Sequence, residues 1–286
     1  MLLTQPPVTV HWLKVGHCRH PEWITLRGGR WRAAQFPSLT ALIIHPSLGP
    51  VLYDTGYADH FHEETRVFPN KLYRWVTPVS LPAEERLDAQ LSRLGVRMAD
   101  VSRVLISHFH ADHVAGLRDL PNARFTALRD DVVNNLGRTG FGALRRGFLP
   151  GTLPTDFGTR LDFADDRPVV DLGAQWAPFD RAYDLLGDGS VLGIPLPGHS
   201  PAQLGALLRD QHGRPVLLAA DACWSTRAWR EERLPSALVR PVFHDWNRYR
   251  QTLAGLHDIG TRTPSLHILP SHCPAAWAAF QTPTDA

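Results

Sequence analysis

The stretch Ser107-His108-Phe109-His110-Ala111-Asp112-His113-Val114-Ala115-Gly116 places three histidines and an aspartate within six positions, directly behind the apolar run Val104-Leu105-Ile106. Polar groups set against a core cost free energy unless something binds them. Imidazole and carboxylate together form a donor set for a metal cation. His108 and His110 alternate, so in extended backbone they project to one side and can grip one ion. Asp112 and His113 follow as the chain turns, facing a neighbouring position suited to a second ion. With no thiolate in the set, Zn²⁺ is the expected cation, and Mn²⁺, Fe²⁺ or Co²⁺ accept similar ligands.

Working outward, Arg103 to Ile106 reads as a buried strand, so the cluster sits at a strand's C-terminal end, where open α/β sheets keep their ligands. Upstream, Leu87, Leu91 and Leu94 fall at i, i+4 and i+7, with acids in the first turn and Gly95 as a stop, which predicts a helix over 82–94. Val8 to Val15 and Ala41 to Tyr53 are β-prone runs broken by Pro and Gly. Downstream, Ala123 to Ala127 reads as a strand and Arg129 to Leu136 as a helix. Residues 137–168 carry Gly and Pro repeatedly and show no sustained period. They interleave Phe141, Phe148 and Phe157 with Arg138, Arg145 and Arg146, and read as an insertion, either a surface excursion or a wall against a substrate. Strands follow at Val169 to Leu172, in a hairpin through Gly187-Asp188-Gly189, at Leu204 to Leu208 and at Pro215 to Ala220. A helix near 247–256 and a strand at Leu266 to Leu269 complete an α/β chain. No repeat or linker divides it, so 1–286 reads as a single domain.

Three more strand ends deliver residues of the same kind. Pro197-Gly198-His199-Ser200 follows Val191 to Leu196, Pro270-Ser271-His272-Cys273 follows Leu266 to Leu269, and Asp221 ends Leu217-Leu218-Ala219-Ala220. Any one alone reads more simply as a satisfied histidine or a capping aspartate; four strand ends together reverse that reading. His60-Phe61-His62 repeats half of the motif but runs into Glu63-Glu64, and reads as solvated loop. His11, His17, His20, His45, His212, His244, His257 and His267 have no ligand-like context.

Of the 286 residues, 43% are hydrophobic, enough for a sizeable core, and 30 basic against 28 acidic residues demand neither a nucleic-acid nor a membrane partner. Cys18, Cys223 and Cys273 are odd in number and form no C-x-x-C pair, which suggests neither a disulfide framework nor a cysteine zinc site and fits a reducing compartment. The N-terminal stretch lacks the pattern of a secretory signal and no apolar run is long enough to span a bilayer. The expectation is a cytoplasmic protein acting on a small molecule, with self-association left open.

In this order, Val51-Leu52-Tyr53-Asp54-Thr55-Gly56, the S-H-F-H-A-D-H motif, P-G-H-S, the strand-ending Asp221 and S-H-C resemble the metallo-β-lactamase superfamily over about Thr40 to Cys273. The resemblance implies a four-layer αββα sandwich and two bound cations, two Zn²⁺ in the first instance. It assigns His108, His110 and His199 to one ion and Asp112, His113 and His272 to the other, with Asp221 bridging and Asp112 and Asp221 at the centre of the chemistry. Asp54 then resembles the family's buried aspartate that supports a ligand rather than being one.

Two adjacent cations suit hydrolysis. His110 argues against the redox members, in which Glu replaces it, and G-H-S-P-A-Q lacks the second histidine of the glutathione-thioester hydrolases. Thioesters and phosphodiesters remain alternative substrates, and a binding member with little activity is disfavoured by the complete set of seven ligands. The helix before the motif, G-H-S-P-A-Q-L and P-V-L-L-A-A-D-A are similar to the quorum-quenching N-acyl-homoserine lactonase group. This chain departs at Trp224, where those lactonases tend to carry a tyrosine. Trp224 with Phe68, Tyr73, Trp75, Phe141 and Phe148 is the expected aromatic wall for an apolar acyl or aryl group. Neutral lactones and esters are therefore expected to be preferred over phosphodiesters, which want Arg or Lys near the metals. The ligand segments contain none, so such a group would have to come from Arg145 or Arg146.

Overall fold

The computed structural model describes residues 5–281. Its strands are β1 (Thr9–Pro21), β2 (Ala33–His45), β3 (Gly49–Tyr53), β4 (Val79–Ser80), β5 (Arg103–Leu105), β6 (Arg124–Ala127), β7 (Leu161–Phe163), β8 (Val169–Asp171), β9 (Arg181–Asp184), β10 (Val191–Pro195), β11 (Leu204–Arg209), β12 (Pro215–Ala220) and β13 (His267–Pro270). They form two sheets, ordered β4-β1-β2-β3-β5-β6-β7 and β13-β12-β11-β10-β9-β8. β1, β2 and β3 are antiparallel neighbours, while β3, β5, β6 and β7 run parallel. In the second sheet only the β12–β13 pair is parallel.

Side-chain alternation explains why the sheets stack. Ala41 and Ile43 of β2, Val51 and Tyr53 of β3, Ala206 and Leu208 of β11, and Val216 and Leu218 of β12 all enter the core between the sheets. The residues between them point outward. Leu42 and Leu52 meet Leu87, Leu91 and Val114 on one side, and Leu207, Leu217 and Ala219 meet Leu253, Leu256 and Ile259 on the other. Helices on both outer faces give the expected four-layer αββα sandwich. Among the described residues, no helix is long and apolar enough to cross a membrane.

Some local readings need correction. The segment 82–94 is a 3-10 turn, Ala83–Glu85, and a separate helix, Leu87–Arg93, because Arg86 between them is extended. The helix read at 247–256 runs from Trp246 to Arg262, since Ile259 is still buried against the second sheet. Asp245 caps its start by accepting from Asn247 N and Arg248 N at 2.9 and 3.0 Å. His60-Phe61-His62 lies on a helix, Asp59–Glu64, not a loop. Phe61 is buried, while the His60 ring lies between Glu63 at 3.0 Å and Asp119 at 2.8 Å. Residues 137–168 are no mere excursion, for they supply β7 at the sheet edge, and Phe157 stacks on Phe125 at 5.1 Å between centroids.

Candidate metal centre

The seven candidate ligands come from strand ends that open on one edge of the sandwich. After β5 the chain stays extended through His108 and His110, and the Ala111–Val114 helical turn then swings Asp112 and His113 round. The loops after β10, β12 and β13 bring in His199, Asp221 and His272. Donor atoms of His108, His110, His199 and Asp221 lie within 4.8 Å of one another, as do those of Asp112, His113 and His272.

Asp221 joins the two groups. Its Oδ2 is 3.1 Å from His199 Nε2, and its Oδ1 is 3.4 Å from His113 Nε2 and 3.1 Å from His272 Nε2. Asp112 Oδ2 is 3.2 Å from His272 Nε2, and His199 Nε2 and His110 Nδ1 converge at 3.0 Å. Two imidazole nitrogens aimed at one point suit a cation better than each other. His108 Nε2, His113 Nε2 and Asp221 Oδ1 are buried without any hydrogen-bond partner, a state that is costly unless a bound ion satisfies it. The residues therefore fit a pair of divalent cations.

The far ring nitrogens show how each imidazole is aimed. His113 Nδ1 donates to Asp54 Oδ2 at 2.7 Å, and His272 Nδ1 donates to the Pro37 carbonyl at 2.7 Å, which leaves both Nε2 lone pairs facing the centre. His108 Nδ1 donates to Ser107 Oγ at 3.0 Å, and that hydroxyl in turn donates to Asp54 Oδ2 at 2.7 Å. Asp54 also accepts from Ser107 N at 2.8 Å and holds a φ of 60°, a left-handed conformation that the converging bonds sustain. Ser107 had no assigned role in the sequence reading, although it stands beside the first histidine.

Electrostatics follow burial and charge. Burial, then His113 and His110, keeps the His108 imidazole well below its ordinary value, and burial with His199 takes His110 down to about 3. Neutral imidazole is the ligating form. Burial opposes charge on His113 too, but Asp54, Asp112 and Asp221 overcome it and raise that ring to about 10. The field at the second group is strongly negative, as a cation site requires.

A different carboxylate holds the loop that carries His199. Asp131 is buried and accepts from Gln203 N at 2.6 Å. Burial outweighs its hydrogen bonds and lifts its carboxyl from 3.8 to about 7. Between these values the unfolded chain ionises this group and the folded one does not, so stability present below pH 4 is lost as pH rises toward 7. Each unit is worth about 1.4 kcal/mol. Asp131→Asn should flatten this part of the profile. Thermal melts at pH 5 and pH 8 should show a smaller loss in the variant than in the wild type, and equal losses would contradict the assignment.

The expected aromatic wall is largely absent. Phe148 is 1% exposed and packs on Phe109 in the outer core, and Tyr73 packs in the satellite core around Phe61. Phe68, Trp75 and Phe141 are 68%, 64% and 55% exposed; Phe68 and Phe141 pair edge to face at 5.5 Å, and none of the three lines the cleft at the metal ligands. Trp224 is at the centre, but its Nε1 donates to Asp221 Oδ2 at 3.0 Å. It braces the shared carboxylate. Phe243, which sequence patterning did not mark, covers both the His199 ring, at 5.1 Å, and Trp224, at 5.2 Å. The cleft of about 310 Å³ runs from His108, His110 and His199 to Arg138, Arg145, Arg146 and His244.

The description "Metallo-beta-lactamase superfamily" matches residues 35–256. The N-acyl homoserine lactonase AttM of Azorhizobium caulinodans is 30% identical over 265 residues, covering 90% of each chain, and AttM of Agrobacterium fabrum is 29% identical with the same coverage. A solved N-acyl homoserine lactone hydrolase, with the product N-hexanoyl-L-homoserine bound at its catalytic metal center, superposes with a TM-score of 0.73 at 17% identity, covering 96% of this chain and 97% of that one. Sandwich, strand-end histidines and matched residues agree, and the chain belongs to the metallo-β-lactamase superfamily.

Proposed function

We propose that this chain is a dinuclear metal-dependent hydrolase that opens lactone or ester bonds, N-acyl homoserine lactones among them. The observation that carries the reading is Asp221, one oxygen toward His199 and the other toward His113 and His272. In it, His108, His110 and His199 hold one cation, Asp112, His113 and His272 the other, and Asp221 both. Imidazole and carboxylate donors without thiolate make zinc the assigned metal. The kinship with the two AttM lactonases supports the substrate class.

Bound there, a pair of divalent cations supplies Lewis acidity toward a carbonyl oxygen and a water-derived nucleophile at neutral pH. The chain's residues do the rest. Asp112, with Oδ2 3.2 Å from His272 Nε2, accepts the proton of the attacking water and returns it to the departing alkoxide oxygen. A C–O bond to water forms, the acyl C–O bond breaks, and lactone becomes hydroxy acid. Trp224 keeps Asp221 turned so that each oxygen serves one side.

Metal analysis with a hydrolysis panel tests the proposal. Fully loaded protein should hold two ions per chain and cleave lactones or aryl esters, with activity lost on chelation and restored by Zn²⁺. One ion or none, or a loaded protein inert toward every lactone and ester, overturns it.

A further inference from the structure

Three guanidinium groups, of Arg138, Arg145 and Arg146, line the cleft that leads to the metal ligands, and none has an acidic partner among the described residues. Arg138 Nε donates to the Asn134 carbonyl and Arg146 Nη1 to His244 Nδ1 at 3.5 Å. Among the described residues, no carboxylate lies within 4.0 Å of Arg138, Arg145 or Arg146. The acids whose charge reaches His244 are Asp245 and Asp130. Two other arginines do meet an acid, Arg129 with Asp166 at 2.8 Å and Arg124 with Asp162. Burial, then Arg138 and Arg145, lowers the affinity of Arg146 for its proton, so the group stands in a field of its own sign. Like charges held together without counter-charge cost stability and are found where a ligand supplies the missing charge.

The position of the arc is fixed by the backbone. Gly147, next to Arg146, accepts from Ala111 N at 3.0 Å, between His110 and Asp112. A Cβ on Gly147 would come within 2.7 Å of His110 Cδ2, and its φ is +61°, so only glycine permits this approach. His244 N in turn donates to the His199 carbonyl at 3.0 Å. Arg145, Arg146 and His244 are thus tied to the ligand segments of the first group. Inside the same cleft, Asn135 Oδ1 is buried and lacks a partner.

We infer that this cleft selects esters or lactones whose acyl part carries a carboxylate, read by Arg145 and Arg146 with Arg138 at the rim, while the scissile bond lies at the metal centre. The inference rests on the hydrolase reading above and adds the charge of the substrate. Guanidinium recognises carboxylate through paired N–H donors. A phosphodiester presents its charge at the reacting atom, whereas this arc lies along the cleft away from Asp221 and the second group.

Two aryl esters of equal chain length test this, the para-nitrophenyl ester of pentanoic acid and the para-nitrophenyl monoester of glutaric acid. The metal-loaded wild type should prefer the glutarate by about tenfold or more in kcat/KM, chiefly through KM. In about 0.5 M NaCl the preference should shrink, because partly exposed charges are screened. Arg145→Gln combined with Arg146→Gln should bring the ratio to about one. A wild-type ratio near one, or a ratio that neither salt nor the double variant changes, overturns the inference alone, since the neutral ester is still cleaved. Faster cleavage of bis(para-nitrophenyl) phosphate than of either ester also overturns it. Failure of the loaded enzyme on both esters and on all lactones overturns the hydrolase reading and this inference with it.

Discussion

Asp112→Asn and His113→Ala are each expected to lower hydrolysis at least about a thousandfold and to reduce bound metal from two ions toward one, while circular dichroism stays native. Both residues belong to the group completed by His272, and Asp112 is also the proton acceptor in the proposed mechanism. The fold survives because what ties this turn to the sheet is backbone. The His113 carbonyl accepts from Thr55 N at 2.8 Å and Thr55 Oγ1 at 2.9 Å, and neither bond needs the imidazole. His113→Ala does remove one partner of the buried Asp54, which keeps two bonds from Ser107. Of the two, Asp112→Asn should therefore melt closer to the wild type. Turnover near wild type with two ions retained in either variant would refute the assigned roles.

Gly198→Ala should produce the largest loss of stability in the site, about 3 kcal/mol, seen as a melting temperature lowered by about 5 to 10 °C. Gly198 has a φ of +129°, outside the range of residues with a Cβ, and such an atom would fall 2.2 Å from Tyr249 N and 2.3 Å from Tyr249 Cα. Those are helix backbone atoms and cannot turn aside as a flexible side chain would. Either the Trp246–Arg262 helix retreats or the loop shifts, and His199 is the next residue. Activity should fall about a hundredfold or more, as expected of a ligand displaced by about 1 Å. A variant that melts and turns over like the wild type would show that the loop has slack absent from this structure.

The metal centre was legible in the sequence because its chemistry is local. The first four ligands announce themselves by spacing alone: His108 and His110 share a face because extended backbone has period two, and Asp112 and His113 follow within one turn. His199, Asp221 and His272 were legible for a related reason. Each directly follows an apolar run, and the C-terminal ends of β10, β12 and β13 gather at one edge of the sandwich. The sandwich itself came from the family resemblance, because β11 and β12 are near-continuous apolar runs buried on both faces, which no alternation marks.

What lines the cleft was not legible, since composition says that a residue is aromatic or basic but not which side of a packed layer it will occupy. Phe148 and Tyr73 were drawn into cores, where burying an aromatic ring is worth more than leaving it to face a substrate. Phe243 and His244 reached the ligands from 44 and 45 residues beyond His199, through bonds such as His244 N to the His199 carbonyl that no periodicity encodes. Arg145 and Arg146 were visible only as part of a segment without a period. Their place in the cleft depends on Gly147 meeting Ala111 N across a long stretch of chain, a contact that exists only once the sheet has brought both segments to the same edge. Residue type and spacing determined which chemistry this chain carries; long-range packing decided which groups stand around it, because only the folded sheet sets the distances between segments remote in sequence.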